Sequence, residues 1–79
     1  MITVYAILSV VNGDIYVGIS EDPDKRLKEH NAGKSKYTKG LRPWIALYRE
    51  SHPDWQRARK REIYLKSGVG KEFLRSLVP

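Results

Sequence analysis

Between Val4 and Ser20 the chain alternates. Val4, Ala6 and Leu8, then Ile15, Val17 and Ile19, form one apolar set, while Tyr5, Ser9, Tyr16, Gly18 and Ser20 fall on the other. A period of two is the pattern of strands that pack one face on a core. Asn12-Gly13 between the two runs marks a hairpin, because a type I′ turn needs positive φ at both central residues. A two-residue loop pairs Tyr16 with Ser9, Gly18 with Ile7 and Ser20 with Tyr5. A four-residue loop keeps the same side chains on the same faces, whereas a three-residue loop turns every one over. Either even loop places both tyrosines on one face beside small residues, and Ser9, Gly18 and Ser20 predict open space over the rings.

The pattern then changes to that of helices. Asp22 suits an N-cap, Pro23 the first helical position and Asp24 the positive end of the dipole, with Asn31 and Gly33 at the close, so a helix is expected from about Pro23 to His30. Residues 34–43 form a basic loop. In "WIALYRE" the residues Trp44, Ala46 and Tyr48 oppose Ile45, Leu47 and Arg49, which reads as a third strand. "SHPDWQRARKREIYLKSG" opens with Ser51 three residues before Asp54, a capping-box-like start with Pro53 in its first turn, and closes at Gly68. This is the longest helix. A short terminal one follows, whose Phe73, Leu74 and Leu77 can dock on the core. The expectation is an α+β fold: a small three-stranded antiparallel sheet with an N-terminal β-hairpin, flanked by about three helices, in a single domain over residues 1–79.

At 79 residues such a domain is near the size where one core only just offsets the entropy of ordering the chain. No cysteine is present, which excludes disulfides and thiolate zinc sites, and His30 and His52 alone make no zinc site. No apolar run approaches the roughly 20 residues that span a bilayer. The N-terminus enters strand pattern directly, without a signal-type charged region, and a cytoplasmic location is expected.

Charge changes the picture most. Fifteen Lys and Arg against nine Asp and Glu give a net +6. Lys25, Arg26, Lys28, Lys34, Lys36, Lys39 and Arg42 fall in one stretch whose only acid is Glu29, and Arg57, Arg59, Lys60 and Arg61 make a second cluster. One run of charge usually solvates a surface. Two clusters point to a phosphate-rich partner, with Lys34, Lys36, Thr38, Lys39 and Arg42 as the expected nucleic-acid-binding residues. No reader motif is recognisable, so contacts to the nucleic-acid backbone are expected and sequence specificity is not.

Three features could carry chemistry. Arg26 and His30 lie one helical turn apart on one face, either as a solvated pair or as a phosphate clamp with a proton relay. Glu62 interrupts an apolar stripe of Trp55, Ala58 and Leu65; a carboxylate there needs a cation, either Arg59 or Lys66 in a salt bridge or a hydrated Mg²⁺ or Mn²⁺. Tyr5 and Tyr16 either pack as strand aromatics or line a site.

Together "VYAIL", "YVG", "RLKEHNAG", "TKGLRPW" and "ARKREIYLKSG", in that order from about Thr3 to Gly70, closely resemble the GIY-YIG nuclease domain. The likeness is to its small stand-alone bacterial members, and to the endonuclease domain of excision-repair incision subunits and homing endonucleases. The resemblance implies a metal-dependent endonuclease that hydrolyses DNA phosphodiester bonds with one divalent ion, Mg²⁺ or Mn²⁺. It assigns catalytic roles to Tyr5, Tyr16, Arg26 and His30 and the metal to Glu62. The alternative is a catalytically weak or inactive nucleic-acid-binding module of the same fold. The expected partners are DNA and, where substrate choice comes from outside, a targeting protein; a membrane is not expected. Two departures stand out. Thr3-Val4-Tyr5 lacks the glycine of the GIY element. Many members carry an asparagine after the metal glutamate, and here none follows Asn31, which leaves its role to Ser67, Lys66 or Glu72, or to no residue.

Overall fold

The computed structural model describes residues 1–79 and has the expected α+β architecture. Strands β1 (Ile2–Ser9), β2 (Ile15–Ser20) and β3 (Trp44–His52) form one antiparallel sheet in the order β2-β1-β3. Helix α1 (Pro23–Asn31), a 3₁₀ turn (Lys39–Leu41), α2 (Trp55–Lys66) and α3 (Gly68–Arg75) complete it. β1 is central, and every one of its residues is buried.

The hairpin takes the longer even loop. Tyr5 pairs with Gly18 and Ile7 with Tyr16, a register shifted by two from the two-residue alternative. Val10, Val11, Asn12 and Gly13 make the turn, closed by Ser9 N donating to Asp14 O at 2.8 Å and Gly13 N to Ser9 O at 2.9 Å. The Ser9 hydroxyl fixes the choice: its oxygen accepts from Val11 N and Asn12 N, and its O–H donates to the Leu41 carbonyl. Because the slip is even, the faces are as expected. Ile2, Val4, Ala6 and Val17 meet Ala58 and Leu65 of α2 and Leu74 of α3. Tyr5, Ile7 and Trp44 form the other layer, covered by Leu27 of α1 and by Leu41.

β3 departs from plain alternation. Ile7 pairs with Ala46 but Ala6 pairs with Tyr48, so Leu47 is an extra residue and the strand bulges there. One inserted residue reverses the side-chain parity. Trp44 therefore joins the Tyr5 layer while Tyr48 packs on the α2 side, instead of the two sharing a face.

Helix α1 begins as expected, with the Asp22 carboxylate accepting from Lys25 N, and runs one residue past His30. Asn31 docks β3: its Oδ1 accepts from Trp44 N at 2.7 Å and its Nδ2 donates to Trp44 O at 3.0 Å. The long helix starts later than the capping-box reading placed it. Ser51 and His52 remain in β3, and Asp54 is the cap, accepting from Arg57 N. Trp55, expected in the buried stripe, is thus a first-turn residue and half exposed. Ser67 ends α2 and caps α3, so Gly68 opens the last helix instead of closing the long one. Of the three residues expected to dock, Leu74 is fully buried; Phe73 lies edge-on against Tyr48, and Leu77 stays partly exposed. No helix is long and apolar enough to cross a membrane.

Candidate active site

The site gathers around β2, the edge strand that both α1 and α2 touch. Its centre is a buried hydrogen-bonded chain. The Tyr5 hydroxyl lies 3.0 Å from His30 Nε2, and His30 Nδ1 lies 2.7 Å from the Thr38 hydroxyl. The Thr38 carbonyl in turn accepts from the Trp44 indole N–H at 2.9 Å. Thr38 and His30 are both fully buried. Thr38, expected among the nucleic-acid-binding residues beside its basic neighbours, is therefore not on the surface at all. Its hydroxyl is turned inward and holds the imidazole.

The tyrosine face is filled, not open. A methyl group on Gly18 would lie 2.5 Å from the Tyr5 hydroxyl oxygen and 2.7 Å from its Cζ, so the Tyr5 ring occupies the room that glycine leaves. Ser9 serves the hairpin turn, and the Ser20 hydroxyl accepts from Asp22 N at the lead into α1. The half-buried Tyr16 packs edge-on against His30, with ring centroids 5.1 Å apart, and 6.4 Å from Tyr5.

Burial sets the protonation of this cluster. The Tyr5 phenol is pushed up to about 12, first by burial and next by Tyr16, with Arg26 working against them. At neutral pH it keeps its proton and serves as a donor. Burial, and then the Arg26 charge, hold His30 below its usual range, with Glu29 opposing. The imidazole is neutral at pH 7, so Tyr5 can donate to Nε2 while Nδ1–H donates to Thr38. Arg26 stands at the rim, its Nη1 3.3 Å from Glu29 Oε1 and its side chain about one-third exposed.

Glu62 is buried, as its place in the stripe predicts. Its Oε1 accepts from Arg59 Nη1 at 2.8 Å and its Oε2 lies 3.3 Å from Lys66 Nζ. It makes no hydrogen bond to the tyrosines, Arg26 or His30, and its link to them is its charge, which adds to the rise in the Tyr5 pKa. No three His, Cys, Asp or Glu side chains cluster as a ready cage. One carboxylate can still serve Mg²⁺, which binds through one or two carboxylates plus water and substrate phosphate oxygens. Both cations on Glu62 are at least half exposed and free to swing into solvent, so the donor set fits an ion with a single protein ligand. Of the residues that could take the missing asparagine's place, Ser67 is engaged in helix capping, Lys66 lies 3.3 Å from Glu62 and Glu72 is exposed on α3. Lys34, Lys36, Lys39 and Arg42 are exposed on the loop beside the cluster.

The Thr38 link was missed by sequence reasoning. A buried threonine within a basic loop has no periodic signal; "TKGLRPW" placed it near the site but not in it.

Comparison with known proteins identifies the family. The family described as "GIY-YIG catalytic domain" matches residues 1–74. A UPF0213 protein of Streptococcus sanguinis is 39% identical over 61 residues, covering 76% of this chain and 70% of the relative. A UPF0213 protein of Staphylococcus aureus is 34% identical over 70 residues, covering 87% and 85%. The solution NMR structure of a UPF0213 protein from Bacillus halodurans superposes with a TM-score of 0.55 at 35% identity, over 98% of this chain and 85% of that one. With the family matched over residues 1–74 and the relatives aligned over most of their own length, the chain belongs to the GIY-YIG family.

Proposed function

We propose that this protein is a divalent-metal-dependent endonuclease that hydrolyses DNA phosphodiester bonds with low intrinsic sequence specificity. The observation that carries the reading is the buried chain Tyr5–His30–Thr38, with Tyr16 against the imidazole and Arg26 at its rim. A hydrogen-bond chain that fixes a neutral histidine between two phenols positions a proton acceptor, and a packing cluster has no need of one.

Each group has a role matched to its environment. Arg26 neutralises the scissile phosphate and the charge that builds on its oxygens in the transition state. Tyr16, half-buried, orients the attacking water. His30 receives the proton at Nε2, passed through the Tyr5 hydroxyl, which cannot itself act as a phenolate near neutral pH. Glu62 would hold Mg²⁺ or Mn²⁺ once Arg59 and Lys66 swing aside. When bound, the ion supplies Lewis-acid stabilisation of the phosphate and leaving oxygen. Lys34, Lys36, Lys39 and Arg42 supply backbone contacts, which makes binding steeply salt-dependent.

The second reading, a binding module that does not cut, is favoured by the double ion pair on Glu62. Nicking of supercoiled plasmid separates the two. The enzyme reading expects nicking with Mg²⁺ or Mn²⁺ that chelator abolishes and that Glu62→Ala loses. DNA binding without nicking in either metal would establish the module instead.

A further inference from the structure

Tyr37 is unexplained by folding. The residue is 66% exposed, and its one aromatic contact is Tyr16, with centroids 5.6 Å apart. Beside it lies a cleft of about 180 Å³ walled by Gly13, Asp14 and Ile15 of the hairpin, by Tyr37, and by Lys71 and Arg75 of α3. One water needs only about 10–15 Å³, so the cleft has room for a larger guest.

Its walls are chemically matched. Lys71 Nζ donates to the Ile15 carbonyl at 2.8 Å, which clamps α3 to the hairpin and leaves two further N–H donors for a ligand. Neither Lys71 nor Arg75 is ion-paired with a carboxylate. Asp14 is the one acid at the rim, so the two cations leave the cleft net positive. A phosphate suits Lys71 and Arg75, and the open face of Tyr37 suits a flat base. In a duplex both faces of an interior base are covered by its neighbours; only an unpaired base can present a face to a tyrosine.

We propose that this cleft is a subsite for an unpaired nucleotide of the substrate strand, its base stacked on Tyr37 and its phosphate held by Lys71 and Arg75. The inference rests on the nuclease reading: Tyr37 packs on Tyr16, the residue assigned to the attacking water, so a strand seated here would pass beside that residue. The preferred substrates then carry a single-stranded stretch at the cut, as a flap, gap or overhang does.

The test is fluorescence anisotropy in chelator with a labelled single strand and a blunt duplex of the same sequence, on the full chain and on Tyr37→Ala, Tyr37→Phe and Arg75→Glu. Both positions are exposed, and circular dichroism checks that the variants fold. The wild type should prefer the single strand. Tyr37→Ala should lower its affinity for the single strand about tenfold with little change for the duplex, and Tyr37→Phe should retain binding, because stacking needs the ring and not the hydroxyl. Arg75→Glu should weaken the single strand more than the duplex. Equal losses on both DNAs, or none with Tyr37→Ala, would overturn the subsite. If metal-dependent plasmid nicking persisted in that case, the nuclease reading would stand without it; absence of both binding and nicking would remove the two together.

Discussion

Gly18→Ala is the smallest change that reaches the centre of the site. The added methyl would lie 2.5 Å from the Tyr5 oxygen and 2.7 Å from Cζ, about an ångström inside van der Waals contact. Tyr5 is only 3% exposed, so the ring has no solvent to move into. It must shift by roughly that ångström, which strains the layer by about 1–3 kcal/mol. The shift also pulls the hydroxyl from His30 Nε2, now 3.0 Å away, at a cost of about 1 kcal/mol more. A loss of about 2–4 kcal/mol is a large part of the roughly 4–12 kcal/mol that a chain this size holds. Urea denaturation should register that drop, and thermal melting a fall on the order of 10–20 °C. Tyr5→Phe removes the nearest atom, so the double variant should be less destabilised than the two single losses combined, by about 1 kcal/mol. A Gly18→Ala protein with the wild-type urea midpoint would refute the placement of Tyr5 over Gly18, and with it the buried tyrosine–histidine chain.

Thr38→Val keeps the shape of the side chain but strands His30 Nδ1, and should cost about 1–3 kcal/mol in denaturation while slowing cleavage at unchanged DNA affinity. Arg59→Ala frees one oxygen of Glu62, so the Mg²⁺ concentration for half-maximal nicking should fall; an unchanged requirement would separate Glu62 from the metal. The Tyr5 phenol titrates near 10 in the unfolded chain and at about 12 in the fold. Between those values the unfolded chain has released a proton that the folded chain retains, so stability falls as pH rises, by up to about 1.4 kcal/mol per unit, and Tyr5→Phe should flatten that slope in urea titrations. His30 works from the other side: its folded pKa lies below 6.5, so the unfolded chain is protonated first and stability declines as pH falls through that value.

What was legible in the sequence was whatever repeats locally. The alternation of Val4 to Ile19 set the two sheet faces, and Asp22-Pro23 set the start of α1, because caps and pleats are decided within a few residues. The shared face of Tyr5 and Tyr16 followed from parity alone. Features decided by distant partners were not legible. The bulge at Leu47 lets one strand serve two cores, and the pattern of "WIALYRE" alone contains no mark of it. Ser51 and Asp54 both suit an N-cap, and pairing of Ser51 with Thr3 in the sheet selects Asp54. Small residues on the tyrosine face read as vacancy, yet Gly18 is small because Tyr5 lies over it. The open cleft lies instead between the hairpin and α3, joined by a Lys71 contact to Ile15 that spans most of the chain.

The most direct test of the account is single-turnover cleavage of bound DNA, with affinity measured in parallel, for Tyr5→Phe, Tyr16→Phe, His30→Gln, Arg26→Ala and Glu62→Gln. The account predicts that each slows the cut by at least about tenfold, a loss of 1.4 kcal/mol or more from the transition state, while the folded variants still bind DNA. Undiminished cleavage in Glu62→Gln and His30→Gln would contradict it, since the carboxylate and the imidazole would then be no more than packing within the fold.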